Sequence, residues 1–213
     1  MPALPERIRM VDEQLRGRDI TSERVLAAME RVPRELFVPP DIRHRAYEDA
    51  ALPIGSRQTI SQPYMVARIV QELGLDGDEK VLDVGTGSGY QAAVLAQLGE
   101  EVHSIERIPE LAEQARQNFE AAGVGNVDVH VGDGSRGLPK EAPFDAIAVA
   151  AAAPAFPQTL YEQLKTGGRL VVPIGRRQGQ RLEVIVRSPE GPAVIRSVPC
   201  RFVPLVGDEG FDR

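Results

Sequence analysis

The feature that most constrains this chain is the run Val81-Leu-Asp-Val-Gly-Thr-Gly-Ser-Gly-Tyr90, where an apolar strand passes straight into three alternate glycines. A helical pattern, Gln91-Ala-Ala-Val-Leu95, follows at once. Glycine lacks a Cβ, so such a loop lets the backbone adopt positive φ and approach a ligand closely. Downstream, strand and helix patterns alternate. Strands are predicted at 80–84, 101–105, 127–131, 144–150 and 168–172, and helices at 89–98, 109–122 and 157–164. That rhythm requires right-handed crossovers and a mostly parallel sheet covered on both faces, an α/β architecture.

Around this core, residues 4–50 are expected to be helical. Ile8, Val11 and Leu15 share one face, and Val25, Leu26, Met29 and Val32 another that closes at Pro33. Thr21 or Ser22 is placed to cap the second helix, with Asp19 near the positive end of its dipole. Pro33-Arg-Glu-Leu-Phe-Val-Pro-Pro40 is too proline-punctuated for a long helix and predicts a packed connector. Residues 52–64 predict a loop feeding a helix built on Met65, Val66, Ile69, Val70 and Leu73. Residues 182–187 and 193–203 alternate β-branched positions around Pro189-Glu-Gly-Pro192, which predicts a hairpin-like pair at the sheet edge. The expected organisation is one domain over 1–213, with an N-terminal extension at 1–79, a cofactor-binding core at 80–172 and C-terminal strands at 173–213.

With 42% hydrophobic and 26% charged residues, the composition excludes a disordered, fibrous or membrane-spanning chain. Lys+Arg 25 against Asp+Glu 31 leaves a net charge of −6, so no overall positive field gathers nucleic acid or anionic lipid. Neither is expected as a partner. The single cysteine, Cys200, excludes an internal disulfide framework, fits a reducing compartment and is expected as a small buried hydrophobe. No His, Asp or Cys spacing resembles a ligand set, so no metal is assigned. The N-terminus carries no apolar secretory segment, and the apolar stretch at 146–156 falls well short of the roughly 20 residues a spanning helix needs. The expected setting is the cytoplasm, and the expected state a monomer.

The glycine spacing also bears on the ligand. A dinucleotide fingerprint wants a third glycine three positions after the second, and Tyr90 stands there instead. S-adenosyl-L-methionine brings an ammonium, a carboxylate and a sulfonium, and Asp83 in the leading strand suits a cation better than a phosphate. The second strand ends at Glu106, 17 residues beyond Gly89, where a carboxylate can accept both ribose hydroxyls; with Arg107 it could equally begin a helix cap. The third runs into Gly132-Asp133-Gly134, where Asp133 could accept from an adenine amino group or make an ordinary Asp-Gly turn. Three acids after three consecutive strands converge on the crevice where the strand order reverses.

The block Leu52-Pro-Ile-Gly-Ser-Arg-Gln-Thr-Ile-Ser-Gln-Pro-Tyr-Met-Val-Ala-Arg68, followed by the glycine loop, closely resembles the protein-L-isoaspartate O-methyltransferases in their bacterial form. His103-Ser-Ile-Glu-Arg107, Gly132-Asp-Gly134, Ala151-Ala-Ala-Pro154, the run at 164–175 and Arg201-Phe-Val-Pro-Leu-Val206 extend the resemblance over nearly the whole chain, in the family's order. The Thr59-Ile60-Ser61 block is specific to the family, whereas the glycine loop is shared by methyltransferases generally.

The resemblance implies a Rossmann-like class I S-adenosylmethionine-dependent methyltransferase fold. It implies methylation of the free α-carboxyl of L-isoaspartyl residues, and more weakly D-aspartyl residues, in aged proteins. The ester collapses to a succinimide, which begins repair, and the cofactor leaves as S-adenosyl-L-homocysteine. Carried over by position, Ser61 is the active-site serine. The cofactor falls to Gln58, Thr59, Ile60, Asp83, Gly85, Thr86, Gly87, Ser88, Gly89, Glu106, Arg107, Asp133 and Gly134. The substrate falls to Thr59, Ile60, Ser61, Val66, Pro204, Leu205 and Val206. Animal members carry histidines just after the serine block, where this chain has Tyr64 and Val66.

A carboxylate with a pKa of about 3.5–4 is already ionised at neutral pH, so its attack on a sulfonium methyl needs no general base. The sequence accordingly shows no nucleophile–histidine–acid arrangement around His44, His103 or His130. Catalysis is expected from placing oxygen, methyl carbon and sulfur in line about 3 Å apart and excluding water. Ser61 would orient the substrate carboxylate, with backbone N–H groups around Ile60 and Val206 holding its other oxygen. By itself, Ser61 before Gln-Pro-Tyr also fits a helix N-cap. The rival readings are a methyltransferase for a small molecule or nucleic acid, a non-catalytic cofactor-binding module and, more distantly, a NAD-dependent dehydrogenase.

Overall fold

The computed structural model describes residues 4–176 and 179–212. The chain opens with α1 (Leu4–Arg9), which widens into a π-helical turn at Met10–Arg16 before α2 (Glu23–Arg31). The wider turn rotates the apolar stripe: Met10, Val11 and Leu15 are buried, while Ile8, expected on the core face, is 39% exposed. Ser22 caps α2 by accepting from the N–H of Val25. Asp19 instead accepts from the Tyr64 hydroxyl and pairs with Arg68. Two 3-10 turns, Arg34–Phe37 and Pro40–Arg45, form the proline-punctuated connector.

The segment expected as a loop is a hairpin of β1 (Leu52–Gly55) and β2 (Gln58–Ile60), which leads into α3 (Pro63–Leu73). Its two-residue turn holds Ser56 at φ 48 and Arg57 at φ 58. Positive φ at both turn residues matches the twist of paired strands but is usually met by Asn-Gly, so a Ser-Arg pair carried no hairpin signal.

Then come β3 (Lys80–Val84), α4 (Tyr90–Leu95), β4 (Glu101–Glu106), α5 (Pro109–Ala122), β5 (Val127–Val131) and β6 (Phe144–Val149). The chain continues through α6 (Gln158–Glu162), β7 (Leu164–Ile174), β8 (Arg181–Ser188) and β9 (Gly191–Pro199). One seven-stranded sheet results, in the order β5-β4-β3-β6-β7-β8-β9, parallel from β5 to β7 and antiparallel across β7-β8 and β8-β9. This is the expected Rossmann-like sheet. β7 begins four residues before the predicted start, and β9 ends at Pro199 rather than 203, after which the chain turns back across the sheet.

Side-chain alternation sorts the core into two layers. Val81, Val102, Val129, Ala146 and Ala148 pack with the N-terminal helices, α3, α4 and α5, while Leu82, Val84, Ile105, Phe144 and Ile147 pack with α6 and Leu205 on the opposite face. No described helix is long and apolar enough to cross a membrane.

Candidate active site

β3 lies between β4 and β6, so the loops leaving β3 and β6 diverge and open a crevice at the carboxyl ends of the strands. The glycine loop is fastened on both sides: Gly85 N–H donates to Ile105 O at 2.9 Å, and Ala150 N–H donates to Val84 O at 2.8 Å. The cavity here holds about 760 Å³ of empty space open to solvent, within the range of small-molecule sites. Gln58, Thr59, Ile60, Ser61 and Val66 wall one side. The floor is Gly85, Thr86, Gly87 and Ser88. Glu106, Arg107 and Gly134 stand at one end, and Pro204, Leu205 and Val206 close the top.

Position 83 differs from the expectation. Asp83 is completely buried behind the loop and does not line the cavity; Ser104 Oγ and Gln91 Nε2 each donate to its carboxylate at 2.7 Å. Its side chain points, with alternate strand positions, into the helix layer rather than out of the strand end. Burial, with the charge of Glu106 adding to it and the two hydrogen bonds opposing it, pushes the carboxyl up to about 6. Thr86 and Ser104 share a hydrogen bond at 2.6 Å, so the acid pins the loop from beneath. Gln91, absent from the sequence assignment, lines the cavity, and its buried Oε1 has no hydrogen-bond partner among the described residues. An orphan acceptor and an adjacent carboxylate suit a ligand bearing an ammonium and hydroxyls, which fits S-adenosylmethionine.

Gly89 also stands off the cavity. At φ +91, a Cβ there would lie 2.7 Å from Phe119 Cζ, so this glycine serves close packing of α5. Gly85, at φ +95, faces Ala150 across the cavity, and a Cβ would project into that gap at 3.6 Å. Glu106 accepts from Gly87 N–H and Ile108 N–H, each at 2.9 Å, so it joins the loop to the start of α5 while facing the cavity.

Asp133 lies in an adjoining pocket with Arg107, Arg136 and the 206–208 segment rather than in the main cavity. Its carboxylate accepts from Ser135 N–H at 2.9 Å, Ser135 Oγ at 2.7 Å and Asp208 N–H at 2.7 Å. Burial alone would raise this carboxyl, but the Asp208 and Ser135 donors outweigh it and hold Asp133 below the usual carboxylate range.

Ser61 closes the hairpin strand and lines the cavity. It is not the helix cap, since the N-cap of α3 is Gln62, which makes no side-chain cap bond. Ser61, Thr59, Ala150, Val203 and Pro204 also line a neighbouring, more apolar groove that includes Met65 and Phe202. The serine thus stands where the main cavity meets a neighbouring groove. Arg34 fixes it there: fully buried, its Nε donates to Ala46 O at 2.7 Å and its Nη2 to Ser61 O at 2.8 Å. The guanidinium stacks over Tyr90 at 4.7 Å, and burial lowers its pKa to about 10, which leaves it charged at neutral pH. Sequence reasoning missed Arg34; its one signal was an arginine inside an apolar, proline-flanked connector. Val203–Val206 is held by Ala152 N–H donating to Val203 O and Leu205 N–H donating to Ala152 O, both at 2.8 Å. Cys200 is half-buried rather than fully buried, and burial raises its thiol to about 11, so it is an unreactive group.

Comparison with known proteins agrees with this geometry. The family model for protein-L-isoaspartate(D-aspartate) O-methyltransferase matches residues 6–210. A protein-L-isoaspartate O-methyltransferase 2 of Marinobacter nauticus is 56% identical over 204 residues, covering 95% of this chain and 93% of that protein. The Methanoculleus marisnigri protein-L-isoaspartate O-methyltransferase is 50% identical over 99% of this chain and 96% of its own length. Among solved structures, a candidate protein-L-isoaspartate O-methyltransferase from Plasmodium falciparum, in complex with S-adenosyl-L-homocysteine, superposes with a TM-score of 0.80 at 26% identity. It covers 94% of this chain and 98% of that one. The sheet order, the glycine-loop cavity and a match over nearly the full length place this chain in the protein-L-isoaspartate(D-aspartate) O-methyltransferase family.

Proposed function

We propose that this chain methylates the free α-carboxyl of L-isoaspartyl residues, and more weakly of D-aspartyl residues, in damaged proteins, with Ser61 orienting the accepting carboxylate. The observation that carries the proposal is the position of Ser61 at the junction of the cofactor cavity and the apolar groove. S-adenosylmethionine, when bound, supplies a sulfonium methyl that passes to a carboxylate oxygen, leaving a neutral thioether and moving no proton.

The residues of the chain do the holding. Gly85, Thr86, Gly87, Ser88 and Gln91 offer a close backbone floor and an acceptor for the methionine end, and Glu106 offers its carboxylate to the ribose hydroxyls. Gly134 and Arg107 flank the adenine end, where Asp133 also serves once its bonds to the 206–208 segment rearrange. Ser61 donates its hydroxyl to the substrate carboxylate, and the N–H groups near Ile60 and Val206 take the other oxygen. Val66 and the Pro204–Leu205 turn keep water from the reacting atoms. None of these groups needs to titrate near neutrality, because the nucleophile is already ionised. The same reading takes the chain as a single catalytic domain acting as a cytoplasmic monomer, supported by its acidic balance and single cysteine.

Ser61→Ala tests the assignment. Turnover on an isoaspartyl peptide should fall about a hundredfold, the size expected for loss of one positioned donor, while affinity for S-adenosylhomocysteine stays within about twofold. Unchanged turnover in a folded variant defeats the role given to Ser61.

A further inference from the structure

On the opposite side of the sheet from Ser104 and Glu106, the register of β4 against β5 sets His103 beside Asp128 and places His130 two residues further along the edge strand. Ligand atoms from His103, Asp128 and His130 all lie within 4.8 Å of one another. His103 Nδ1 and His130 Nε2 are 3.1 Å apart, and Asp128 Oδ2 is 3.3 Å from the same His130 Nε2. Donors about 2.05 Å from a common tetrahedral centre stand about 3.3 Å apart, so these separations are close to those of ligands around one ion.

Glu101 Oε1 lies 3.0 Å from His103 Nε2, the ring nitrogen that does not face His130. With a proton on Nε2, His103 Nδ1 presents a lone pair towards His130 Nε2 and Asp128. His103 Nε2, in a residue only 3% exposed, makes no hydrogen bond among the described residues. Lys80 Nζ stands 3.9 Å from Glu101 Oε2.

We propose that His103 Nδ1, His130 Nε2 and Asp128 Oδ2 bind one divalent transition-metal ion of the zinc class at the β4–β5 edge, away from the catalytic cavity. Glu101 then accepts from the outer nitrogen of a ligating histidine, an arrangement that fixes tautomer and ring orientation in metal sites. Phe144 meets the His103 ring edge-on at 5.9 Å and holds it in place. His130 and Asp128 are partly open to solvent, which leaves a coordination position for water. The two histidines lie 27 residues apart and meet only through parallel strand pairing, so no local spacing announces the group. By tying β5 to β4, the ion stabilises the sheet at an edge that has no further strand among the described residues.

The test uses tag-free full-length protein titrated with Co2+ and followed by visible absorption and calorimetry. One equivalent should give the intense bands of four-coordinate Co2+, Zn2+ should displace it, and Zn2+ should raise the melting temperature. His130→Gln and Asp128→Asn, both at the rim, should each weaken binding about tenfold or more and abolish the Zn2+-dependent melting shift. His44→Gln, the control at the third histidine, should change neither. Absence of stoichiometric binding overturns the proposal, as does binding that both rim variants leave intact or that His44→Gln removes.

Discussion

Replacing Gly89 by alanine separates packing from ligand contact within one glycine loop. Its φ of +91 lies in the region that costs an L-residue about 1–2 kcal/mol. The added Cβ would also meet Phe119 Cζ at 2.7 Å, Phe119 Cε1 at 2.8 Å and Ala115 Cβ at 3.3 Å. Phe119 cannot retreat cheaply, being only 5% exposed and packed against Phe37 with ring centroids 6.3 Å apart. Overpacking of this kind costs about 1–3 kcal/mol, so the total is about 2–5 kcal/mol. In a chain of this length that lowers the melting temperature by roughly 4–20 °C.

Gly85→Ala shares the backbone cost, but its Cβ meets Ala150 at ordinary contact distances, Cβ at 3.6 Å and C at 4.0 Å, so it should lose less stability and more affinity for S-adenosylhomocysteine. Thermal unfolding and calorimetric titration of both variants supply the assay. In a double-mutant cycle, Phe119→Leu should recover the steric share of the Gly89→Ala loss and leave the φ share. The reasoning is refuted if Gly89→Ala stays within about 1 kcal/mol of the parent, or if Gly85→Ala proves the more destabilising of the two.

Two further predictions come from buried charge. Asp83, with its carboxyl raised to about 6 from the ordinary value of 3.8, binds more protons folded than unfolded across that interval. Its contribution should therefore decline as pH rises from about 4 to about 6 and stay level above, by up to about 3 kcal/mol; Asp83→Asn should flatten this part of the stability–pH profile, and an unaltered profile contradicts the assignment. Arg34→Lys keeps a charge but loses the fork that serves Ala46 O and Ser61 O together. It should cost about 1–3 kcal/mol and lower kcat while cofactor affinity changes little, whereas a destabilised variant with normal kcat makes Arg34 purely structural.

The parallel half of the sheet was legible because each strand is an apolar run bounded by turns and each helix carries its own stripe. Glu106, Ser61 and Val203–Val206 were legible from the family block, and all of them line the cavity. What escaped was set by tertiary contacts. The Ser56-Arg57 turn takes positive φ without glycine, so the hairpin that presents Thr59–Ser61 looked like a loop. Asp83 and Gly89 sit in the loop motif yet act beneath it, one through Ser104 and Gln91 and the other through Phe119. Strand alternation and helix packing, not spacing, decide which residues of a glycine loop meet the ligand. Arg34 and the His103–Asp128–His130 group join residues distant in sequence, and no local pattern announces them.

The most direct measurement is methyl transfer from radiolabelled S-adenosylmethionine to two synthetic peptides that differ only in having L-isoaspartate or L-aspartate at one position. The account predicts base-labile methyl ester on the isoaspartyl peptide and essentially none on its aspartyl isomer. Equal labelling of both peptides, or labelling of neither by a folded protein that binds S-adenosylhomocysteine, contradicts it.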